Sequence, residues 1–114
     1  MTRTFVEMPI FHAKWESLGL DDSDLKRLQE ELLADPKTGA VMRGTGGVRK
    51  ARFAFEHRGK SGSIRIIYVD FEVHEKIYLI TAYTKNEKDN LTEKERNEIR
   101  RLIEILKNQL DENQ

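Results

Sequence analysis

The hydrophobic positions of this chain change their period twice, and the changes mark out its elements. Thr4 to Val6 predicts a short strand, and Pro9 suits the first turn of a helix. Phe11, Trp15 and Leu18 then recur at i, i+4 and i+7, one helical face that Gly19 closes. Asp21 to Asp24 supply a cap and first-turn acids for a second helix. Leu25, Leu28 and Leu32 form its apolar stripe, Leu33 widens it, and Asp35-Pro36 ends it. From Val48 the period becomes two. Ala51, Phe53 and Phe55 point one way, and Lys50 and Arg52 point the other. Ser63 to Phe71 is apolar on both faces, as a central strand must be, and Val73 to Tyr83 is a second such run, with Glu75 and Lys76 near the joining turn. Thr92-Glu93-Lys94-Glu95 is a capping box, and Ile99, Leu102, Ile103, Leu106 and Leu110 continue as an amphipathic helix. The predicted order is β-α-α-β-β-β-α. This is an α+β fold: a twisted antiparallel sheet with an N-terminal helical hairpin and a C-terminal helix. Without repeats or a linker, residues 1–114 read as one domain.

Composition narrows the chemistry. The chain has 114 residues and no cysteine. That length supports one core without disulfides, and the lack of thiols removes cysteine nucleophiles and thiolate zinc sites. No stretch reaches the roughly 18 apolar residues of a membrane span, and Met1 to Glu7 lacks the apolar run of a secretory signal. The expected location is the cytoplasm. Formal net charge is zero, from 20 basic and 20 acidic residues, but the charges are segregated. Between Val41 and Arg65 the basic residues are Arg43, Arg49, Lys50, Arg52, Arg58, Lys60 and Arg65, against the single acid Glu56. Such a basic window is the footprint of a nucleic-acid contact.

Other motifs are weaker. Gly59-Lys60-Ser61 resembles the end of a phosphate-binding loop, but Ala54 stands where its first glycine belongs and a strand follows it. Gly44-Thr45-Gly46-Gly47 reads as a flexible loop before a strand. His12, His57 and His74 lack metal-ligand spacing and read as surface histidines. His57, close to the basic window, is retained as an acid/base candidate. The strand-borne charges carry more. Arg65 shares a face with Ile67, Val69 and Phe71, and a mid-strand arginine among apolar residues needs a partner. One reading is a salt bridge to a helix acid. The other, favoured by Lys50, Arg52 and Lys85, is a phosphate-binding arginine at a cleft.

Three segments carry a family resemblance: Gly44-Thr45-Gly46-Gly47-Val48-Arg49-Lys50-Ala51-Arg52-Phe53, Gly62-Ser63-Ile64-Arg65-Ile66-Ile67-Tyr68, and Tyr78-Leu79-Ile80-Thr81-Ala82-Tyr83-Thr84-Lys85-Asn86-Glu87. In order and spacing the chain resembles the RelE/ParE superfamily of toxins of type II toxin–antitoxin systems, and the HigB type in particular. The resemblance implies a RelE-like fold and cleavage of messenger RNA in the ribosomal decoding site. It implies a cognate antitoxin, a helix-turn-helix DNA-binding protein, as partner, with mRNA and the ribosome as further partners and no cofactor. On the family's motif, Lys50 and Arg52 match a basic pair on the second strand, Arg65 an arginine on the third, and Lys85 the basic motif after the fourth. The family's archetype has a further catalytic tyrosine in its C-terminal segment. No tyrosine follows Tyr83 here, which leaves Tyr83 as the candidate substitute.

The implied reaction is attack by the substrate's own 2′-hydroxyl on the adjacent phosphorus, giving a 2′,3′-cyclic phosphate and a 5′-hydroxyl. Arg52 and Arg65 are the candidate clamp for the charge that develops on the phosphoryl oxygens. Lys50 or Lys85 is the candidate proton-transfer group. Arg49, Arg58 and Lys60 are candidate grips on backbone phosphates. Beside a plain structural domain with surface charges, which the segregated charge disfavours, two other readings stay open on the residues alone. One is a non-catalytic RNA-binding module, for which the basic window suffices. The other is a ParE-like gyrase poison on the same fold.

Overall fold

The computed structural model describes residues 2–55, 63–85, 87, 88 and 90–113. The elements run β1 (Thr4–Glu7), α1 (Pro9–Ser17), α2 (Asp22–Ala34), β2 (Ala40–Val41), β3 (Arg49–Phe53), β4 (Ile64–Phe71) and β5 (Lys76–Thr84), ending with α3 (Glu93–Glu112). A 3-10 turn, Glu72–His74, links β4 to β5.

Local chemistry sets the helix ends. Pro9 opens α1, where its missing N–H costs nothing, and Gly19 leaves the helix at φ +75°. Asp21 caps α2 by accepting from the Asp24 amide while Asp24 accepts from the Asp21 amide. Thr92 and Glu95 make the same reciprocal pair at the start of α3.

The five strands form one sheet in the order β1-β5-β4-β3-β2. The expected meander of three strands is β3-β4-β5, antiparallel throughout. The sheet departs from an all-antiparallel arrangement at one edge, where β1 pairs parallel with β5 from Thr4↔Lys76 to Glu7↔Leu79. Its other edge gains β2, two residues too short to show any period. Gly39, just before β2, passes so close to β3 that a Cβ there would lie 2.8 Å from the Lys50 carbonyl carbon and oxygen.

The sheet is sandwiched between two cores. On one face α1 and α2 pack Phe11, Trp15, Leu28 and Leu32 against Ala51, Phe53, Ile66, Tyr68 and Leu79. On the other α3 packs Ile99, Ile103, Leu106 and Leu110 against Val48, Ile67, Val69 and Tyr83. Strand β4 is therefore covered on both sides, which explains its unbroken apolar run. Among the described residues no helix is long and apolar enough to cross a membrane.

The glycine-rich segment before β3, expected as a flexible loop, is a hydrogen-bonded turn. Met42 and Val48 close it, N to O, at 2.8 Å. Thr45 is fully buried, donates its hydroxyl to the Met42 carbonyl at 2.6 Å and accepts from the Val48 amide at 3.1 Å. Gly44, Gly46 and Gly47 all take positive φ, which lets the chain wrap around that hydroxyl. Replacing Thr45 by Val keeps the shape and strands both partners. Urea denaturation of Thr45→Val is expected to show a loss of about 1–3 kcal/mol; an unchanged midpoint would mean that the hydroxyl contributes nothing to the turn.

Candidate functional site

Residues directly opposite on neighbouring strands share a face of the sheet. Arg52 on β3 pairs with Arg65 on β4, and Arg65 pairs with Tyr83 on β5. The three side chains thus form a row across the sheet on the face covered by α3. The next row on that face is Lys50, Ile67 and Thr81.

Within the row the environments differ sharply. Arg52 is exposed, whereas Arg65 is 4% exposed and Tyr83 only 1%. The Arg65 guanidinium donates through Nη1 to the Ser63 carbonyl at 2.8 Å, and its buried Nε meets no acceptor among the described residues. No carboxylate among the described residues pairs with Arg65, so the salt-bridge reading finds no partner there.

A bulge in β5 directs Tyr83 into this row. The register runs Tyr68↔Leu79 and then Ile67↔Thr81, which leaves Ile80 as the extra residue. With strict alternation Tyr78 and Tyr83 would face opposite sides. With Ile80 inserted, both pack on the α3 side.

The connection from β5 to α3 is tied down over the same region. Lys50 donates to the Asn90 side-chain oxygen at 3.1 Å, and Leu91 is buried. Lys88 sits with its ammonium 5.8 Å from the centre of the Tyr83 ring and donates to Glu95 at 2.5 Å. Glu87 accepts from Lys14 of α1 at 2.6 Å. The Lys88 hydrogen bond, aided by the Thr92 amide, holds the Glu95 carboxyl below the ordinary carboxylate range, and the Lys14 hydrogen bond does the same for Glu87.

The other candidates fall elsewhere. Arg49 projects to the opposite face, where its Nη1 donates to the carbonyls of Gly39 at 2.7 Å and Lys37 at 3.2 Å. Lys85 is exposed just past β5 and makes no hydrogen bond or ion pair among the described residues. Arg58, Lys60 and His57 lie outside the described residues. His12 sits between Glu7 and Glu16 on the surface, and His74 meets Asp111 at 3.2 Å. Among the described residues there is no group of three or more His, Asp or Glu side chains able to hold a metal ion.

Comparison with known proteins places the chain in a family. Residues 7–114 match the family model described as the RelE toxin of the RelE/RelB toxin–antitoxin system. The chain belongs to the RelE toxin family. The RelE fold is seen in solved structures as well. A double arginine-to-alanine mutant of the E. coli toxin RelE in the free state matches with a TM-score of 0.55 at 17% identity, over 77% of this chain and 88% of that one. A chain of the intact E. coli RelBE toxin–antitoxin complex matches with a TM-score of 0.53 at 16% identity, over 73% and 96%. At these identities the likeness is one of fold.

Two residues of this RelE-family toxin join the site without any signal in the pattern, Lys88 and Asn90. Both lie in an irregular connection, where no period relates a residue to a strand face. Since the Glu95 carboxyl is held low in the folded chain, its contribution to stability is complete above the ordinary glutamate value of 4.5 and is lost as pH falls through the lowered one. Thermal unfolding of wild type is expected to drop more steeply below that pH than unfolding of Glu95→Gln. Parallel profiles would show that the Lys88–Glu95 contact does not hold the connection in place.

Proposed function

We propose that this RelE-family toxin is a ribosome-dependent mRNA endonuclease that inhibits translation and is held in check by a cognate antitoxin. The observation that carries the reading is Arg52 directly opposite Arg65. Like charges facing across a strand pair destabilise the fold, and burying one of them with no carboxylate partner among the described residues adds to that cost. An anion seated between them relieves both, and a phosphodiester has the charge and the paired oxygens that two guanidinium forks match.

In this mechanism the 2′-hydroxyl of the message attacks the adjacent phosphorus in line, and the bond to the 5′ oxygen breaks. Arg52 and Arg65 hold the phosphoryl oxygens as their negative charge grows, a preorganised arrangement that needs no reorientation during reaction. Two fixed cations disfavour a divalent metal at the same place. Lys50 is the group placed to move a proton, with Asn90 steering its ammonium. Tyr83, the buried end of the row, positions Arg65 rather than touching substrate. The ribosome supplies the bent message and hence much of the orientation. The E. coli relative solved as a toxin–antitoxin complex supports an antitoxin partner here.

The test is to map 5′-hydroxyl ends on ribosome-bound message. Arg52 is exposed, so Arg52→Ala leaves the cores intact. It is expected to slow cleavage about 10²–10³-fold while its thermal midpoint stays at or above that of wild type, because a like-charge contact is gone. Cleavage at the wild-type rate would sink the clamp. Growth arrest with DNA damage and an intact message would point to gyrase instead.

A further inference from the structure

The glycine-rich turn and one flank of α3 together carry a second set of arginines that the clamp does not use. Arg43 projects from the turn, and Arg96 donates through Nη1 to the Arg43 carbonyl at 3.3 Å. The turn abuts the helix closely: a Cβ on Gly46 would stand 3.3 Å from Ile103 Cγ2. Arg100 follows Arg96 at i+4 and Lys107 at i+11, so the three basic side chains share a flank of α3. Arg43 and Arg100 are exposed, and Arg96 is half-buried. Glu93 and Glu104 lie within a turn of them on the helix, yet among the described residues neither pairs with Arg43, Arg96 or Arg100.

The opposite flank of α3 differs in charge and texture. There Glu95, Glu98 and Ile99 face Ile10, Ile80 and Leu91 around a hollow of about 130 Å³. Arg96, Arg100 and Lys107 lie on the side nearest β3, while Lys94 and Arg101 sit with Glu93, Asn97 and Glu98 on the solvent-facing side. Like charges at i, i+4 destabilise an isolated helix by a few tenths of a kcal/mol, so Arg96 and Arg100 are not explained by helix stability. Thr45 and three left-handed glycines make the turn rigid, which fixes Arg43 against the helix.

This patch is continuous with the clamp. Val41 pairs with Arg49 and Met42 bonds Val48, so the turn begins two residues before Lys50 along β3, and Arg52 lies two residues beyond it. Read along β3, the cations run Arg52, Lys50, then Arg43 with Arg96 and Arg100 above it.

We propose that Arg43, Arg96 and Arg100 form a phosphate-binding strip that grips the RNA strand flanking the clamped phosphate. The strip rests on the reading of this toxin as RNA-binding and deepens it: recognition extends over several phosphates on one side of the scissile bond. Arginine suits the role because each fork takes two phosphate oxygens, and the rise from Arg96 to Arg100, about 6 Å, spaces the forks along an extended backbone.

The experiment compares wild type, Arg43→Ala/Arg100→Ala and Arg52→Ala, all full-length. Binding of a fully 2′-O-methylated, non-cleavable oligonucleotide long enough to pass both clamp and strip is measured against salt, beside a trinucleotide that fills only the clamp. Both strip substitutions are at exposed positions, and unchanged thermal unfolding is the control for folding. For the long oligonucleotide the double variant is expected to show a slope of log affinity against log salt shallower by about 1.4, two phosphates at roughly 0.7 each, with trinucleotide binding unchanged. An unchanged slope and affinity overturns the strip, and so does a double variant that loses only binding to its antitoxin. If the slope changes but wild type leaves ribosome-bound message uncut, the strip stands and the nuclease reading falls. If Arg52-dependent cleavage is seen with an unchanged slope, the nuclease reading stands and the strip falls. A wild-type chain that binds neither oligonucleotide overturns both.

Discussion

A guanidinium is held out of water in the middle of the sheet with no carboxylate paired to it among the described residues. Arg65 is 4% exposed, and its only hydrogen bond among the described residues goes to the neutral Ser63 carbonyl. Arginine remains protonated in proteins, so neutralisation by proton loss is closed to it, and desolvation of the ion must be offset by other means. Its strand neighbours do the opposite, since Arg52 adds a second positive charge directly across the pair. A fold that tolerates this has stability to spare elsewhere.

The rest of the architecture supplies that surplus. Strand β4 is packed on both faces, with the α1–α2 hairpin on one side and α3 on the other. Capping boxes start α2 and α3, and a buried threonine ties the turn before β3. The connection leading into α3 is fastened at both of its ends and in between, through Lys14–Glu87, Lys88–Glu95 and Lys50–Asn90. Lys50, Arg52 and Arg65 therefore project from strands, and the described part of the connection into α3 is restrained beside them. Preorganised donors of this kind need little reorientation when charge develops.

Much of this could be read from the residues alone, and the physics explains which parts. Alternation with a period of two separates Lys50 and Arg52 from Ala51 and Phe53 and groups Arg65 with Ile67, Val69 and Phe71; both separations hold in three dimensions. The three helices follow from periodic leucines, phenylalanine and tryptophan framed by caps. The parallel pairing of β1 with β5 joins segments some 70 residues apart and leaves no local trace. Strand β2 is too short to show a period. Arg49 was legible as facing away from Lys50, since it keeps step with Ala51 and Phe53, but charge counting along a window ignores which face each residue occupies. Lys88 and Asn90 reach the site by the path of an irregular connection. Tyr83 depends on one inserted residue, which no alternation pattern can announce.

That inserted residue also acts as a key. A plain antiparallel pair can slide by one position, and every side chain then turns over to the wrong layer. Here the two halves of β5 are out of phase across Ile80, so a shifted pairing would satisfy one half only by spoiling the other. The alignment of Arg65 with Tyr83 is thereby locked to that of the distant hairpin end near Phe71 and Lys76. A single-residue insertion or deletion in this strand therefore cannot leave both halves as they are: it would part Tyr83 from Arg65 or shift the pairing at the Phe71–Lys76 end.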